Sequence, residues 1–274
     1  MVSQEQRRRQ LAREKFLRQQ QRRTSARRKA RMRNSVIASV LGVVVIGSVA
    51  LYTTGVLKND DDKKTNASAD VTPSATPSSK APDPCEKPAA GSIKKETWKK
   101  EPAMSIDTSA KYTMKLATTC GDIGIALKTS AAPHTVNSFD FLAGKGFFDH
   151  TKCHRLTTNG IYVLQCGDPT GLGSGGPGYT IPDENLKDAS LKGNKYPAGT
   201  VAMANTGQKH TGGSQFFLVY KDSPLPPSYT PFGTIDAAGM KVLTKIAAAG
   251  ENTGAGDGAP NATVVINKAT VTKS

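Results

Sequence analysis

The chain of 274 residues is poor in aromatic side chains, with eight Phe, seven Tyr and a single Trp, Trp98. It has only four Cys and four His. His134, His150, His154 and His210 form no H-E-x-x-H, and none joins a C-x-x-C, so no metal is expected. No G-x-S-x-G turn exposes a nucleophilic Ser. Cys153 and Cys166 stand too far apart for a C-x-x-C redox motif. Gly171-Leu172-Gly173-Ser174-Gly175-Gly176 spells G-x-G-x-x-G in letters only. Pro177-Gly178-Tyr179 follow where a dinucleotide site needs a helix N-terminus, so a surface loop is expected and no cofactor. Hydrophobic residues make up 37 %, too few for a chain that is core-forming throughout. No internal repeat is visible.

What the chain has in excess is positive charge, a net +15. The excess is local. Residues 1–34 hold thirteen Lys and Arg against Glu5 and Glu14, a net +11, whereas residues 105–274 hold fifteen against twelve acids, a net +3. A basic protein that binds nucleic acid through its folded part is therefore not expected, although residues 1–34 alone keep that reading open as an arm.

Ser35 to Leu57 is a run without charge, SVIASVLGVVVIGSVALYTTGVL. As a helix it spans roughly 35 Å, enough for a hydrocarbon core of about 30 Å. Basic flanks resist translocation, so the N-terminus is expected in the cytoplasm and the rest outside a cell membrane crossed once. A cleaved signal peptide is the rival, since Ser48-Val49-Ala50 has the small-x-small form of a cleavage site. Against it stand the long basic region and an apolar run longer than a signal needs. Residues 58–104, with Pro73, Pro77, Pro82, Pro84 and Pro88 among Ser, Thr, Ala and Lys, read as a tether. Its span as a flexible chain is roughly 40 Å. The Trp98 region is the part of it that an edge of the folded domain would claim.

Residues 105–274 suffice for one core. Strands are expected over Tyr112–Thr118 and Ile123–Lys128 with a turn at Cys120-Gly121-Asp122, then over Cys153–Leu156, Ile161–Cys166, Thr200–Ala204, Gln215–Tyr220, Phe232–Ile235 and Thr263–Thr272. Pro133 opens a helix carrying Val136, Phe139 and Leu142 on one face and ended by Gly144 and Gly146. A second helix is expected over Ala238–Ala249, with Met240, Leu243 and Ile246 in step. Many short strands with two helices suggest a closed or nearly closed β architecture with helices packed outside. The four Cys of an exported domain allow three disulfide pairings, or stay buried thiols. Cys153 and Cys166 lie in successive strand-like runs and could face each other across a hairpin, which would leave Cys85 to tie the tether to Cys120.

Two segments combine hydrogen-bonding side chains with large apolar ones, as a small directional pocket does. One is Cys153-His154-Arg155-Leu156 with Tyr162-Val163-Leu164-Gln165-Cys166-Gly167-Asp168. The other is Met203-Ala204-Asn205-Thr206-Gly207 with Gly212-Gly213-Ser214-Gln215-Phe216-Phe217-Leu218. In this order they resemble the F-H-R, F-M-x-Q-G-G-D, M-A-N and G-S-Q-F-F segments of the cyclophilins, and Ala132–Phe139 resembles that family's first helix. The resemblance covers about residues 110–272. It implies a mostly β fold, an eight-stranded antiparallel barrel capped by two helices. It also implies peptidyl-prolyl cis/trans isomerase activity on proline-containing polypeptides.

Carried over residue by residue, the resemblance makes Arg155 the catalytic Arg, with Gln165, Asn205 and Gln215 as polar partners. Tyr162, Val163, Ala204, Phe217, Leu225 and Tyr229 become substrate contacts, Tyr229 standing where the family has a His. Arg155 and Gln165 are two residues further apart than in the family pattern. Cys153 replaces the F of F-H-R, Cys166 replaces the first Gly of Q-G-G-D, and Pro224 stands where a pocket Trp is often found, a replacement that bears on cyclosporin binding. Turning an X–Pro bond meets a barrier of about 18–20 kcal/mol because amide resonance is lost. No covalent bond is made or cut. A guanidinium that donates to the proline nitrogen only in the twisted form stabilises that form selectively. The expectation is a monomeric, membrane-tethered foldase for exported proteins. The alternative is a Pro-peptide binding or chaperone module with weak or no catalysis.

Overall fold

The computed structural model describes residues 82–274. The expected basic segment 1–34, the membrane span 35–57 and the tether as far as residue 81 lie outside the described residues. Among those described, no helix is long and apolar enough to cross a membrane.

Strands β1 (Tyr112–Thr118) and β2 (Gly121–Leu127) form an antiparallel hairpin in which Met114 and Leu116 point inward while Thr113 and Lys115 face solvent. Thr118 pairs with Gly121, so the turn is Thr119-Cys120, one residue before the expected position. Helix α1 (Pro133–Gly144) starts at the proline and buries Val136, Phe139 and Leu142. Helix α2 (Ala237–Ala248) is capped by Asp236, whose carboxylate accepts from the Gly239 N–H at 2.6 Å, and it buries Leu243 and Ile246.

The main sheet adds β3 (Thr151–Lys152), β4 (Arg155–Thr157), β5 (Val163–Cys166), β7 (Thr200–Met203), β8 (Phe216–Val219), β10 (Pro231–Ile235), β11 (Asp257–Gly258) and β12 (Val265–Lys273). A separate ribbon pairs β6 (Lys195–Tyr196) with β9 (Ser223–Pro224). The ten strands of the main sheet follow the order β11-β4-β5-β8-β7-β10-β2-β1-β12-β3, and every pairing is antiparallel.

Strand β3, at one end of that order, runs on in the chain into β4, the second member from the other end. Thr151 and Lys152 pair with β12, the Cys153 N–H still reaches the Val264 carbonyl, and the next N–H, that of His154, goes to Gln165 on β5. Thr151–Thr157 is thus one bent stretch that changes partners at Cys153-His154, as a strand does at a barrel corner. With β3 and β4 taken as one strand, and the two-residue β11 left aside, the sheet has eight members. The short β3, β6, β9 and β11 carry too few residues to show a periodic pattern in the sequence.

Side chains alternate across strands, so the sheet has two distinct faces. Leu164, Cys166, Val201, Met203, Phe216 and Leu218 join the large core, which Phe139, Phe148 and Phe232 fill. Their alternates Val163, Ala202, Phe217 and Val219 form a second, smaller cluster with Leu191 and Tyr196. The functional candidates belong to that second face.

Cys85 is bonded to Cys120 and Cys153 to Cys166. Both are the pairs that the hairpin reading favoured, and the first ties the stretch before residue 105 to the domain. Residues 82–104 are a strap on the domain and not a free linker. The Glu86 N–H donates to the Thr119 carbonyl, the Trp98 N–H donates to the Pro177 carbonyl, and the Ser105 N–H donates to the Asn137 side chain. The Trp98 ring lies edge-on to Phe141 and tilted against Phe147. Composition misled here because the strap borrows its apolar surface from the domain and forms none of its own.

Candidate active site

Arg155 projects from β4 and faces Gln165 on β5, its registered partner. Its Nη1 donates to Gln165 Oε1 at 3.2 Å. The Gln165 amide donates to Gln215 Oε1 at 2.9 Å, and the Gln215 amide donates to the Gly175 carbonyl at 2.9 Å. A guanidinium and two amides thus form a directed chain along the sheet, each polar group oriented by the next. On the other side of Arg155, Asp257 accepts from Nε at 2.7 Å and from Nη2 at 2.8 Å. The hydrogen-bonded Asp257 carboxylate holds the guanidinium pKa above its ordinary value, and Arg155 in turn holds Asp257 low.

Below this polar edge lies a cavity of about 110 Å³. Val163, Phe217, Leu225 and Tyr229 form its apolar wall, with Ile161 beside them, while Arg155, Gln165, Ala204 and Asn205 supply the rim. Phe217 is fixed edge-on between Tyr196 and Tyr229, at 6.1 and 5.5 Å between centroids. The buried Tyr196 hydroxyl donates to the Tyr229 carbonyl at 2.7 Å, and burial pushes its pKa up to about 12. Asn205 donates to the Ser228 carbonyl at 2.8 Å and accepts from the Gly207 N–H, which holds the loop after β7 beside the cavity.

Eight of the ten expected site residues line this cavity. Gln215 lines a larger adjoining groove of about 870 Å³, which shares Gln165, Ala204 and Asn205 with it and has Lys99, Lys100 and Glu101 of the strap on its rim. Tyr162 lines neither. Its ring packs edge-on to Tyr220 with the Lys221 ammonium 4.5 Å from its centroid. Alternation along β5 explains the correction. Val163 and Gln165 face the cavity, so Ile161 shares their face and Tyr162 takes the other side. The same parity was available in the sequence. Asp257 was not, because it is 102 residues from Arg155 and in no motif.

The Gly171–Gly176 loop has a structural task. Asp168 is fully buried at its base. Its carboxylate accepts from the Gly173, Gly175 and Thr170 N–H groups and from the Thr170 hydroxyl. A Cβ at Gly175 would collide with that carboxylate, so the loop requires glycine there. Burial alone would raise the Asp168 pKa, but these donors outweigh it and hold the group below the usual carboxylate value. Burial lowers the pKa of His154, next to Arg155. Among the described residues, no three His, Cys, Asp or Glu side chains gather as a metal ion would need.

Residues 113–271 match the family "Cyclophilin type peptidyl-prolyl cis-trans isomerase/CLD". The chain belongs to this family of enzymes. The cyclophilin is 45 % identical over 207 residues to a "Probable peptidyl-prolyl cis-trans isomerase B" of Mycobacterium leprae, a match that takes in 71 % of this chain and 68 % of the relative. It is 49 % identical over 165 residues to the protein of the same description in Mycobacterium tuberculosis, covering 57 % of this chain and about half, 53 %, of that one. A solved cyclophilin-type isomerase of Cryptosporidium parvum is 26 % identical with a TM-score of 0.50. That match covers 60 % of the cyclophilin and 99 % of the solved chain. The two helices and the curled antiparallel sheet follow that fold.

Proposed function

We propose that this cyclophilin isomerises X–Pro bonds of exported polypeptides at the outer face of the membrane that residues 35–57 span, with Arg155 acting on the proline nitrogen. One observation carries the mechanism: a single guanidinium stands on the rim of a small apolar cavity that can seat a proline ring. Val163, Phe217, Leu225 and Tyr229 hold the ring as the fixed end. Gln165, Asn205 and Gln215 hold the backbone around it. As the amide twists, resonance is lost and the nitrogen regains a lone pair. An Arg155 N–H donates to that lone pair and weakens the competing conjugation. The bond is absent in the planar ground state, so it stabilises the twisted form selectively.

The two disulfides support an oxidising compartment, where such bonds persist. The Arg-rich residues 1–34 support a cytoplasmic N-terminus. Uncatalysed prolyl isomerisation takes tens to hundreds of seconds and limits folding, which gives such an enzyme its use there. The test is exchange NMR on a short X-Pro peptide with the full-length chain in detergent micelles. Catalysed exchange is expected from the wild type and near-total loss from a folded Arg155→Ala. Peptide binding without catalysed exchange would show a binding module instead.

A further inference from the structure

Arg155 is gripped by a carboxylate that none of the cyclophilin motifs contains. Asp257 takes both Nε and Nη2, and Gln165 takes Nη1. The two-pronged contact matches the planar fork of Arg and fixes the plane of the guanidinium as well as its position.

The chain builds a support for this one residue. Asp257 sits on β11, where it pairs with Thr157 two residues beyond Arg155 on β4. The loop that delivers it is braced inside. Glu251 accepts from the Thr253 and Gly256 N–H groups and from the Thr253 hydroxyl, and the Ala259 N–H donates to the Asn252 side chain. The Thr158 N–H donates to the Gly256 carbonyl at 2.9 Å, which ties the loop to the end of β4. Gly256 has φ +89, and a Cβ there would stand 2.5 Å from Asn159 Cβ, so only glycine lets the loop lie this close.

An ion pair with side chains 37 % and 55 % exposed contributes little to stability. What it supplies is direction. The lone pair that forms on a twisted prolyl nitrogen is neutral and narrow, so a donor acts on it through alignment more than through charge. With Nε and one Nη2 hydrogen bonded to Asp257 and an Nη1 hydrogen bonded to Gln165, the plane of the guanidinium is set at the cavity that Arg155 lines.

We infer that Asp257 is a positioning residue for catalysis, clamping Arg155 in the orientation that meets the proline nitrogen in the twisted state. The inference rests on the role of Arg155 proposed above. It is tested on the full-length chain by exchange NMR with a short X-Pro peptide, comparing Asp257→Ala, Asp257→Glu, Arg155→Ala and the Asp257→Ala/Arg155→Ala pair, each with a melting curve. Asp257→Ala is expected to lower kcat by roughly ten- to a hundredfold, as loss of alignment does, with KM and melting temperature little changed. Asp257→Glu should recover part of the rate. In the Arg155→Ala background, Asp257→Ala should cost nothing further, because there is no guanidinium left to orient.

Wild-type kcat in Asp257→Ala, beside an inactive Arg155→Ala, would overturn the clamp and leave the Arg155 mechanism standing. A further loss in the Arg155→Ala background, or a kcat loss that tracks a lowered melting temperature, would assign Asp257 a structural part only and overturn it as well. Full activity in Arg155→Ala would remove the mechanism itself and the clamp with it.

Discussion

The Trp98 indole stands edge-on to the Phe141 ring, 5.1 Å between centroids, and so joins the strap to the outer side of helix α1. Trp98 is the only Trp in the chain, which makes its fluorescence a reporter of that junction alone. Trp98→Ala is expected to destabilise the domain by about 2 kcal/mol, the scale of a half-buried aromatic and its ring contacts. Denaturation of the wild type should show fluorescence and far-UV circular dichroism changing together. An earlier fluorescence transition would mean that the strap detaches before the sheet melts.

The Cys153–Cys166 bond ties the bend between β3 and β4 to the end of β5, next to the registered pair Arg155 and Gln165. It closes a short loop, 13 residues apart in sequence. Replacing both by Ala should lower stability by about 2–3 kcal/mol in the chain-entropy picture. The rate should fall as well, because the two strands that carry the polar chain lose their fastening. Urea midpoints and exchange rates of the double variant, set against the wild type, check both parts.

Phe217 is the floor of the apolar wall and is held by two tyrosines. Phe217→Ala is expected to raise KM for a short X-Pro peptide by about tenfold or more, from lost burial of the ring. The fall in kcat should be the smaller effect, since Arg155 and its partners stay in place. A variant that lost kcat with KM unchanged would show that Phe217 does not seat the substrate.

His154 and Asp168 each add to the response to acid. His154 has a folded pKa below its ordinary 6.5, so below that value the unfolded chain takes up a proton that the folded chain does not. Stability therefore falls as pH drops through about 6.5. Asp168 is held low in the folded state, so its contribution is full above the ordinary carboxylate value of about 3.9 and is lost as pH falls below it. Urea midpoints measured from pH 8 to 3 should fall in both windows. Asp168→Asn should make the fall in the lower window shallower without abolishing it, since Asp107, Asp188, Asp222, Glu251 and Asp257 are held low as well, and it should be less stable at neutral pH, because an amide cannot accept all the loop donors that Asp168 does.

Much of the fold is legible in the sequence wherever a long element shows one wet and one dry side. Strand β1 has the expected ends, and Pro133, Val136, Phe139 and Leu142 mark α1 from their spacing alone. The candidate site is legible where a motif lies along a strand, as with Arg155, Val163, Gln165 and Phe217. It fails in three places, each for a physical reason. Tyr162 was expected in the cavity against the two-residue period of the strand it leads into, which puts Ile161 there. Beyond its expected tie at Cys85 and an edge at Trp98, the strap was read as a tether because its ring partners, Phe141 and Phe147, are far off in sequence. Asp257 is invisible for the same reason. Its meaning depends on a strand pairing of two residues, too short to leave a pattern.

The sheet that carries the site is joined from both ends of the domain: Tyr112 pairs with Lys273, and Thr118 with Ile266. Such distant pairing is slow to form. While the chain emerges from its N-terminus onward, β1 has β2 beside it but waits with its other edge bare. Arg155 is made about a hundred residues before the carboxylate that grips it. β12, the strand that fills the gap, is made after every other strand in the sheet. The isomerase thus has no early working form, and its site waits on the last strand of the chain.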